Sequence, residues 1–311
     1  MRTFLKNTLK FILPYATVLV VIAVWALCSE IKLYRSNIRI APDVNYVVVG
    51  DSQSEMAVNP ECFPHLANHS IAGLSFDQAL YKIRDLLEVN ADRDFTIILD
   101  VSPRRVLRNG WPLTTADFES RYAILNFIHF FNSRRKLDEP IKLIRDRIVK
   151  DAFNSLTRRK FTKKHKKIQK KSWGGFQPRN GQRWISHPVE TAQEASQSIS
   201  ETLAEAGKDD SIAASNFSII DEIITTVSAN GKKIILVTTP WHGVLVEKLS
   251  AKLIPSFRSK MQVLADRHGI KWIDTIEWPI SDDGWLNPNH LNASGAVKYT
   301  KFLRKLILEG E

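Results

Sequence analysis

Ser52 and His290 are the residues whose types and order suit nucleophilic chemistry. Ser52 ends the stretch Tyr46-Val47-Val48-Val49-Gly50-Asp51-Ser52, and His290 sits late, in Asn287-Pro288-Asn289-His290-Leu291-Asn292. A serine hydroxyl is a weak nucleophile at neutral pH and needs a base within hydrogen-bond reach to take its proton. Imidazole is suited to that role. Serine early and histidine late, joined by the fold, is the order an acyl-transferring serine enzyme needs. Each residue also has a plainer reading. Ser52 after a strand is a good helix N-cap, and His290 is placed to cap the last helix. Asn287 and Asn289 flank Pro288 as ordinary turn residues. Asp51 reads as holding the turn through its own hydrogen bonds rather than as an acid–base group. His242, after Pro240-Trp241, is a second histidine at a strand end and reads as structural.

The elements that must position these residues follow a regular rhythm. Residues 44–49 are a β-branched run that fits a strand buried on both faces. Gly50 then permits a sharp turn without a Cβ penalty. Residues 68–75 form a second small, polar turn containing Gly73, and Ser75 is placed to cap a helix over 76–89, with apolar positions at 76, 79, 80, 83, 86 and 87. A second strand at 95–99 runs into Asp100-Val101-Ser102-Pro103, where proline stops it. After about residue 190 the rhythm resumes: a helix over 212–227, a strand over 233–239 stopped by Pro240, a helical region, and a short strand over 270–274. A polar loop over 275–292 and a final helix from Ala293 complete the chain. Alternating strands and helices predict an α/β fold, a three-layer, doubly wound parallel sheet. Such sheets hold ligands at the carboxyl ends of their strands, where Ser52 falls.

Composition sets further bounds. The chain has 311 residues and a net charge of +11. Residues 134–183 hold 18 Lys or Arg against 4 Asp or Glu, so a basic helical insertion at about 104–190 carries the whole positive balance. Its run from Arg158 to Lys171 fits a solvated helix face, a surface for anionic lipid headgroups, or a patch that steers an anionic glycan. No nucleic-acid-binding motif accompanies the charge. With Cys28 and Cys62 as the only cysteines, a disulfide framework is excluded and no multi-thiolate metal site is indicated. At the N-terminus, Arg2, Lys6 and Lys10 precede an uncharged apolar run over 11–28, about long enough to cross a bilayer. The expected organisation is a cytoplasmic tail (1–10), a transmembrane signal anchor (11–28), a juxtamembrane linker (29–43) and a main domain (44–311). Ala26 and Cys28 make a passable cleavage site, so a cleaved signal peptide is the rival reading, but the run is longer than a typical signal-peptide core. Lys32, Arg35 and Arg39 weaken the charge asymmetry. A short tail before a large domain places that domain outside the cytoplasm.

Gly50-Asp51-Ser52, the Gly73 turn, the strand-end loop at 100–103 and His290-Leu291-Asn292 with Gly295-Ala296 resemble the SGNH (GDSL-type) hydrolase family. The closer resemblance is to its membrane-anchored extracytoplasmic branch, which takes part in acyl modification of cell-surface polymers. It covers roughly 44–104 and 230–308 and implies a flavodoxin-like sheet, with Ser52 as nucleophile and His290 as base. The N–H groups of Ser52 and Gly73 are then two oxyanion donors. It implies no metal and no organic cofactor. It also implies a membrane-bound partner that carries the acyl group across the bilayer, with transfer to water or a sugar hydroxyl. Two departures stand out. The family's third-block Asn is missing, with Ser102 as the nearest stand-in. Asn287 occupies the position of the usual Asp, with Asp282 or Asp283 as substitutes. The alternative is a degenerate relative that serves as a scaffold in surface-polymer assembly.

Overall fold

The structure is a computed structural model, and it describes residues 35–107, 175–180, 210–249 and 253–309, with scattered helical positions at 13–32 and 193–201. The chain divides into two compact units, Met1–Asn37 with Leu113–Ser172, and Ile38–Pro112 with Trp173–Glu311. The second unit holds the sheet. The basic run 158–171 and half of the apolar run 11–28 lie outside the described residues. No helix among the described residues is long and apolar enough to cross a membrane.

In chain order the second unit contains β1 (Tyr46–Val49), α1 (Ser52–Ala57), β2 (Leu66–Asn68), α2 (Phe76–Val89), β3 (Thr96–Asp100), α3 (Pro103–Leu107) and α4 (Asp210–Ala229). Then come β4 (Lys233–Thr238), α5 (Gly243–Leu249), α6 (Leu253–His268), β5 (Lys271–Asp274), a short antiparallel pair β6 (Trp285–Asn287) and β7 (His290–Leu291), and α7 (Ala293–Leu308). Five strands pair in the order β2-β1-β3-β4-β5, all parallel. This is the flavodoxin-like order, whose chain reverses direction of growth beside β1.

Every residue of β1 and β3 is buried, as a central parallel strand covered on both faces requires. Tyr46, Val48, Ile98, Ile235, Val237 and Ile273 pack on one face with Tyr299, Leu303 and Ile307 of α7. The alternate residues Val47, Val49, Ile97, Leu99 and Leu236 point to the other face and are equally buried. Each such side chain contributes about 1.5–3 kcal/mol of apolar burial. Helix α2 carries a full capping box: Ser75 accepts from Gln78 N–H while the Gln78 side chain accepts from Ser75 N–H.

Candidate active site

The turn that carries Ser52 begins where β1 ends. Gly50 is required by contact rather than by its dihedrals. A Cβ there would stand 2.0 Å from Ser54 Oγ and 2.5 Å from Asp100 Cβ. Asp51 is the N-cap of α1, its carboxylate accepting from Gln53 N–H at 2.9 Å. Ser52 is thus the first helical residue and not the cap. Its hydroxyl is turned away from the helix to meet His290, whose Nε2 lies 2.8 Å from Ser52 Oγ.

His290 is aimed by the short β6–β7 pair. Asn287 Oδ1 lies 2.9 Å from His290 Nδ1. The same Oδ1 accepts from Asn289 N–H at 3.2 Å. A backbone N–H only donates, so the amide oxygen, not its nitrogen, faces the ring. His290 Nδ1 must then carry the ring proton. Nε2 is left with a lone pair directed at the Ser52 hydroxyl, the tautomer a general base needs. Asn292, not His290, caps α7, accepting from Gly295 N–H at 3.0 Å.

The expected substitutes for a triad carboxylate are engaged elsewhere. Asp282 lies 3.1 Å from His242 Nε2, and Asp283 accepts from Ser281 and lies 3.5 Å from Lys298 Nζ. His242 itself is tied beside the site, its N–H donating to Pro288 O at 2.9 Å and its ring meeting Trp285 edge-on. The carboxylate that acts on His290 is Asp51, whose charge favours the imidazolium. Burial of the ring outweighs it, aided by the Arg104 and Arg179 guanidinium groups, and lowers the His290 pKa to about 4. His290 is therefore neutral, with a lone pair able to accept a proton, throughout the neutral range.

Gly73 sits at φ +77° in the turn closed by Leu74 N–H to Ile71 O at 3.0 Å. That is the third position of a type II turn, which favours glycine. Neither Ser52 N–H nor Gly73 N–H makes a hydrogen bond among the described residues. Ser102 is 1% exposed and its hydroxyl accepts from Arg105 N–H at 3.3 Å, so it caps α3.

Beneath the turn a buried polar network fixes the loops. Asn68 donates to Ser54 O and Val58 O at 2.9 and 2.8 Å and accepts from Ser70 N–H at 2.9 Å. Ser54 Oγ donates within reach of Asp100 Oδ2 and Ser70 Oγ, at 3.1 and 3.0 Å. Burial first, and the Asp51 charge second, push Asp100 up to about 7. Arg105 opposes that shift and donates to Asp100 O while stacking 4.0 Å over the Phe76 ring. Lys82 is fully buried and donates to His69 O at 2.5 Å, which anchors the loop leading to Gly73.

Sequence reasoning missed residues 175–180. Gly175 N–H donates to Ser70 O at 3.0 Å, Gln177 N–H to Glu55 O at 2.9 Å, and Arg179 O accepts from Ala293 N–H at 2.9 Å. Two of these bonds satisfy backbone groups orphaned at the ends of α1 and α7. Gly174-Gly175 at its start is its one signal in the sequence. A surface hollow of about 570 Å³ between α2 and α4, lined by Arg84, Asp221, Glu222 and Asn230 among others, contains none of the site residues.

A serine hydroxyl held 2.8 Å from the lone pair of a neutral imidazole is an arrangement that can carry out acyl transfer. Among the described residues no group of three or more His, Cys, Asp or Glu is placed to hold a metal. No family model matches the chain, and comparison with curated proteins finds no match. Among solved structures, the crystal structure of a "putative acylhydrolase" from Bacteroides fragilis is similar at 12% identity and a TM-score of 0.40, over 89% of this chain and 94% of that one.

Proposed function

We propose that the protein is a membrane-anchored, extracytoplasmic SGNH-type serine esterase or O-acyltransferase acting on a cell-surface glycan, with acetyl as the acyl group. The observation that carries this reading is the Ser52–His290 hydrogen bond of 2.8 Å, with the ring tautomer set by Asn287. Ser52 Oγ attacks the ester carbonyl while its proton passes to His290 Nε2. The carbonyl electrons move onto oxygen, which the N–H groups of Ser52 and Gly73 stabilise. Collapse of that intermediate expels the alcohol, protonated by His290, and leaves an acyl-serine. Water or a sugar hydroxyl then gives its proton to Nε2 and attacks the acyl carbon, releasing Ser52. An amide beside Nδ1 has a precedent in Cys-His-Asn enzymes, where an orienting group need not be charged.

The membrane reading is supported by the N-terminal helical positions. Leu13, Val18, Val21, Val24 and Trp25 are each 51–61% exposed, an apolar surface that suits lipid. The basic insertion would then face anionic headgroups or an anionic glycan, and a membrane protein would supply the acyl donor. A second reading, a non-catalytic scaffold, is favoured by two observations: among the described residues no carboxylate bonds His290 directly, and Ser102 is committed to a cap. Hydrolysis of 4-nitrophenyl acetate by the full chain in detergent separates the two. The enzyme reading requires turnover that Ser52→Ala abolishes while circular dichroism is unchanged. A scaffold shows no Ser52-dependent turnover.

A further inference from the structure

His242 stands where the chain passes from β4 to α5, and it meets the strand before His290 at three places. Its N–H donates to Pro288 O at 2.9 Å, at the tip of the β6–β7 pair. Its ring meets Trp285, the first residue of β6, edge-on at 5.4 Å between centroids. Its Nε2 lies 3.1 Å from Asp282 Oδ1, in the short helical turn just before β6. One residue therefore grips β6 from end to end. The ring's tautomer follows from its other nitrogen. Nδ1 accepts from Val244 N–H at 3.2 Å, in the manner of an N-cap for α5, and a backbone N–H only donates. Nδ1 thus holds the lone pair, Nε2 carries the proton, and that proton goes to Asp282. With both nitrogens engaged, His242 does not serve as a second base.

The β6–β7 pair needs a hold from outside. Strands of three and two residues with an irregular register make few ladder bonds of their own, and an isolated hairpin is marginal in water. Yet Asn287 and His290 are partners across it. The tautomer of His290 and its 2.8 Å approach to Ser52 both depend on where the tip lies. Asn292 secures the base of the pair, its N–H donating to Gly284 O at 3.0 Å and its side chain to Asp283 O at 2.7 Å. His242 secures the tip. We propose that His242 is a positioning residue for the reaction: with Asp282 it holds the β6–β7 tip so that Asn287 and His290 stay aligned on Ser52. The inference rests on the acyl-transfer reading of that pair and deepens it with a residue that acts only through His290.

The test reads the His290 ring directly and scores turnover apart. The full chain, labelled with nitrogen-15 histidine, is studied in detergent by long-range proton–nitrogen correlation, with His290→Ala to assign the signal. The unmutated protein should show His290 protonated on Nδ1. His242→Asn keeps an oxygen to cap α5 but is too short to reach Asp282. Asp282→Ala removes the acceptor, and because Asp282 is 64% exposed the fold should survive it. Each change should move His290 toward the Nε2–H tautomer that a free imidazole prefers. Asp282→Asn keeps an acceptor for the His242 proton and should restore the native signal. Misplacing a reacting pair by about 1 Å can cost about 100-fold in rate. Per site titrated with fluorophosphonate, kcat should therefore fall about 10- to 100-fold in His242→Asn and Asp282→Ala, with KM within about twofold. The double variant should be no worse than either single one. A His242 that only caps α5 predicts a native tautomer and native kcat in His242→Asn. That result, an unchanged Asp282→Ala protein, or an Asp282→Asn protein that restores nothing overturns the proposal. If the tautomer responds as stated but the unmutated protein hydrolyses no ester, His242 still positions His290 and the esterase reading fails.

Discussion

Replacing Asn287 by Asp asks what the uncharged partner of His290 withholds. The amide oxygen already sets the tautomer from 2.9 Å, so the substitution adds charge without changing the hydrogen-bond pattern. A carboxylate charge centred about 4 Å from the imidazolium interacts with it by about 4 kcal/mol at an effective dielectric of 20. That corresponds to about 3 pKa units. Desolvating the half-buried carboxylate offsets part of this, leaving a rise of about 1–3 units. His290 now stands at about 4. The acid limb of kcat/KM, which reports the free enzyme's base, should therefore move from near pH 4 to between about 5 and 7. Above that limb, stabilising the imidazolium in the transition state should raise kcat about 10- to 100-fold. The gain falls short of the roughly 10⁴ that a protease loses with its triad Asp, because much of that loss is tautomeric. Here the tautomer is already correct. The assay is the pH–rate profile of 4-nitrophenyl acetate hydrolysis for both proteins. An acid limb that stays near pH 4, or a lower rate on the plateau, would refute this account of the pair.

Three further outcomes follow from the same geometry. Asp51→Asn keeps the helix cap but removes the carboxylate that favours the His290 cation, so kcat should fall about five- to tenfold with Tm within about 2 °C, read by steady-state kinetics and thermal melts. Gly50→Ala forces a Cβ to 2.0 Å from Ser54 Oγ and should cost about 2–4 kcal/mol in urea unfolding. Asp100 has a native pKa of about 7, above its ordinary 3.8. The folded state therefore binds more protons than the unfolded state between those values, and stability falls as pH rises through that window. Asp100→Asn keeps the acceptor for Ser54 and removes the titration, so it should flatten the fall and stabilise the protein most at pH 8, measured as Tm against pH.

The sequence carried the buried strands and the long helices because their signals are local. Val47-Val48-Val49 and Ile97-Ile98-Leu99 are apolar runs of strand length, and the 76–89 helix shows its period and its capping box. Strand β2 was not legible: Leu66-Ala67-Asn68 has little intrinsic β preference and becomes a strand by pairing with β1. The β6–β7 pair lies within the loop expected over 275–292, because Trp285–Asn287 and His290–Leu291 are too short to show a period. Gly50 was expected to serve a sharp turn, whereas the structure requires it for the close approach of Ser54 and Asp100. At the site, Ser52, Gly73, Asn287 and His290 were visible as motif positions. The contributions of Arg104 and Arg179 were not, because they depend on tertiary contacts that spacing does not encode.

Labelling with a serine-reactive fluorophosphonate tests the central claim most directly. The full chain in detergent is treated, digested and read by mass spectrometry, beside Ser52→Ala and His290→Ala. The account predicts adduct mass on the peptide containing Ser52, at least a hundredfold slower labelling in His290→Ala, and none in Ser52→Ala, since the serine is nucleophilic only through its base. A well-folded protein that leaves Ser52 unlabelled, or labels it equally fast without His290, contradicts it.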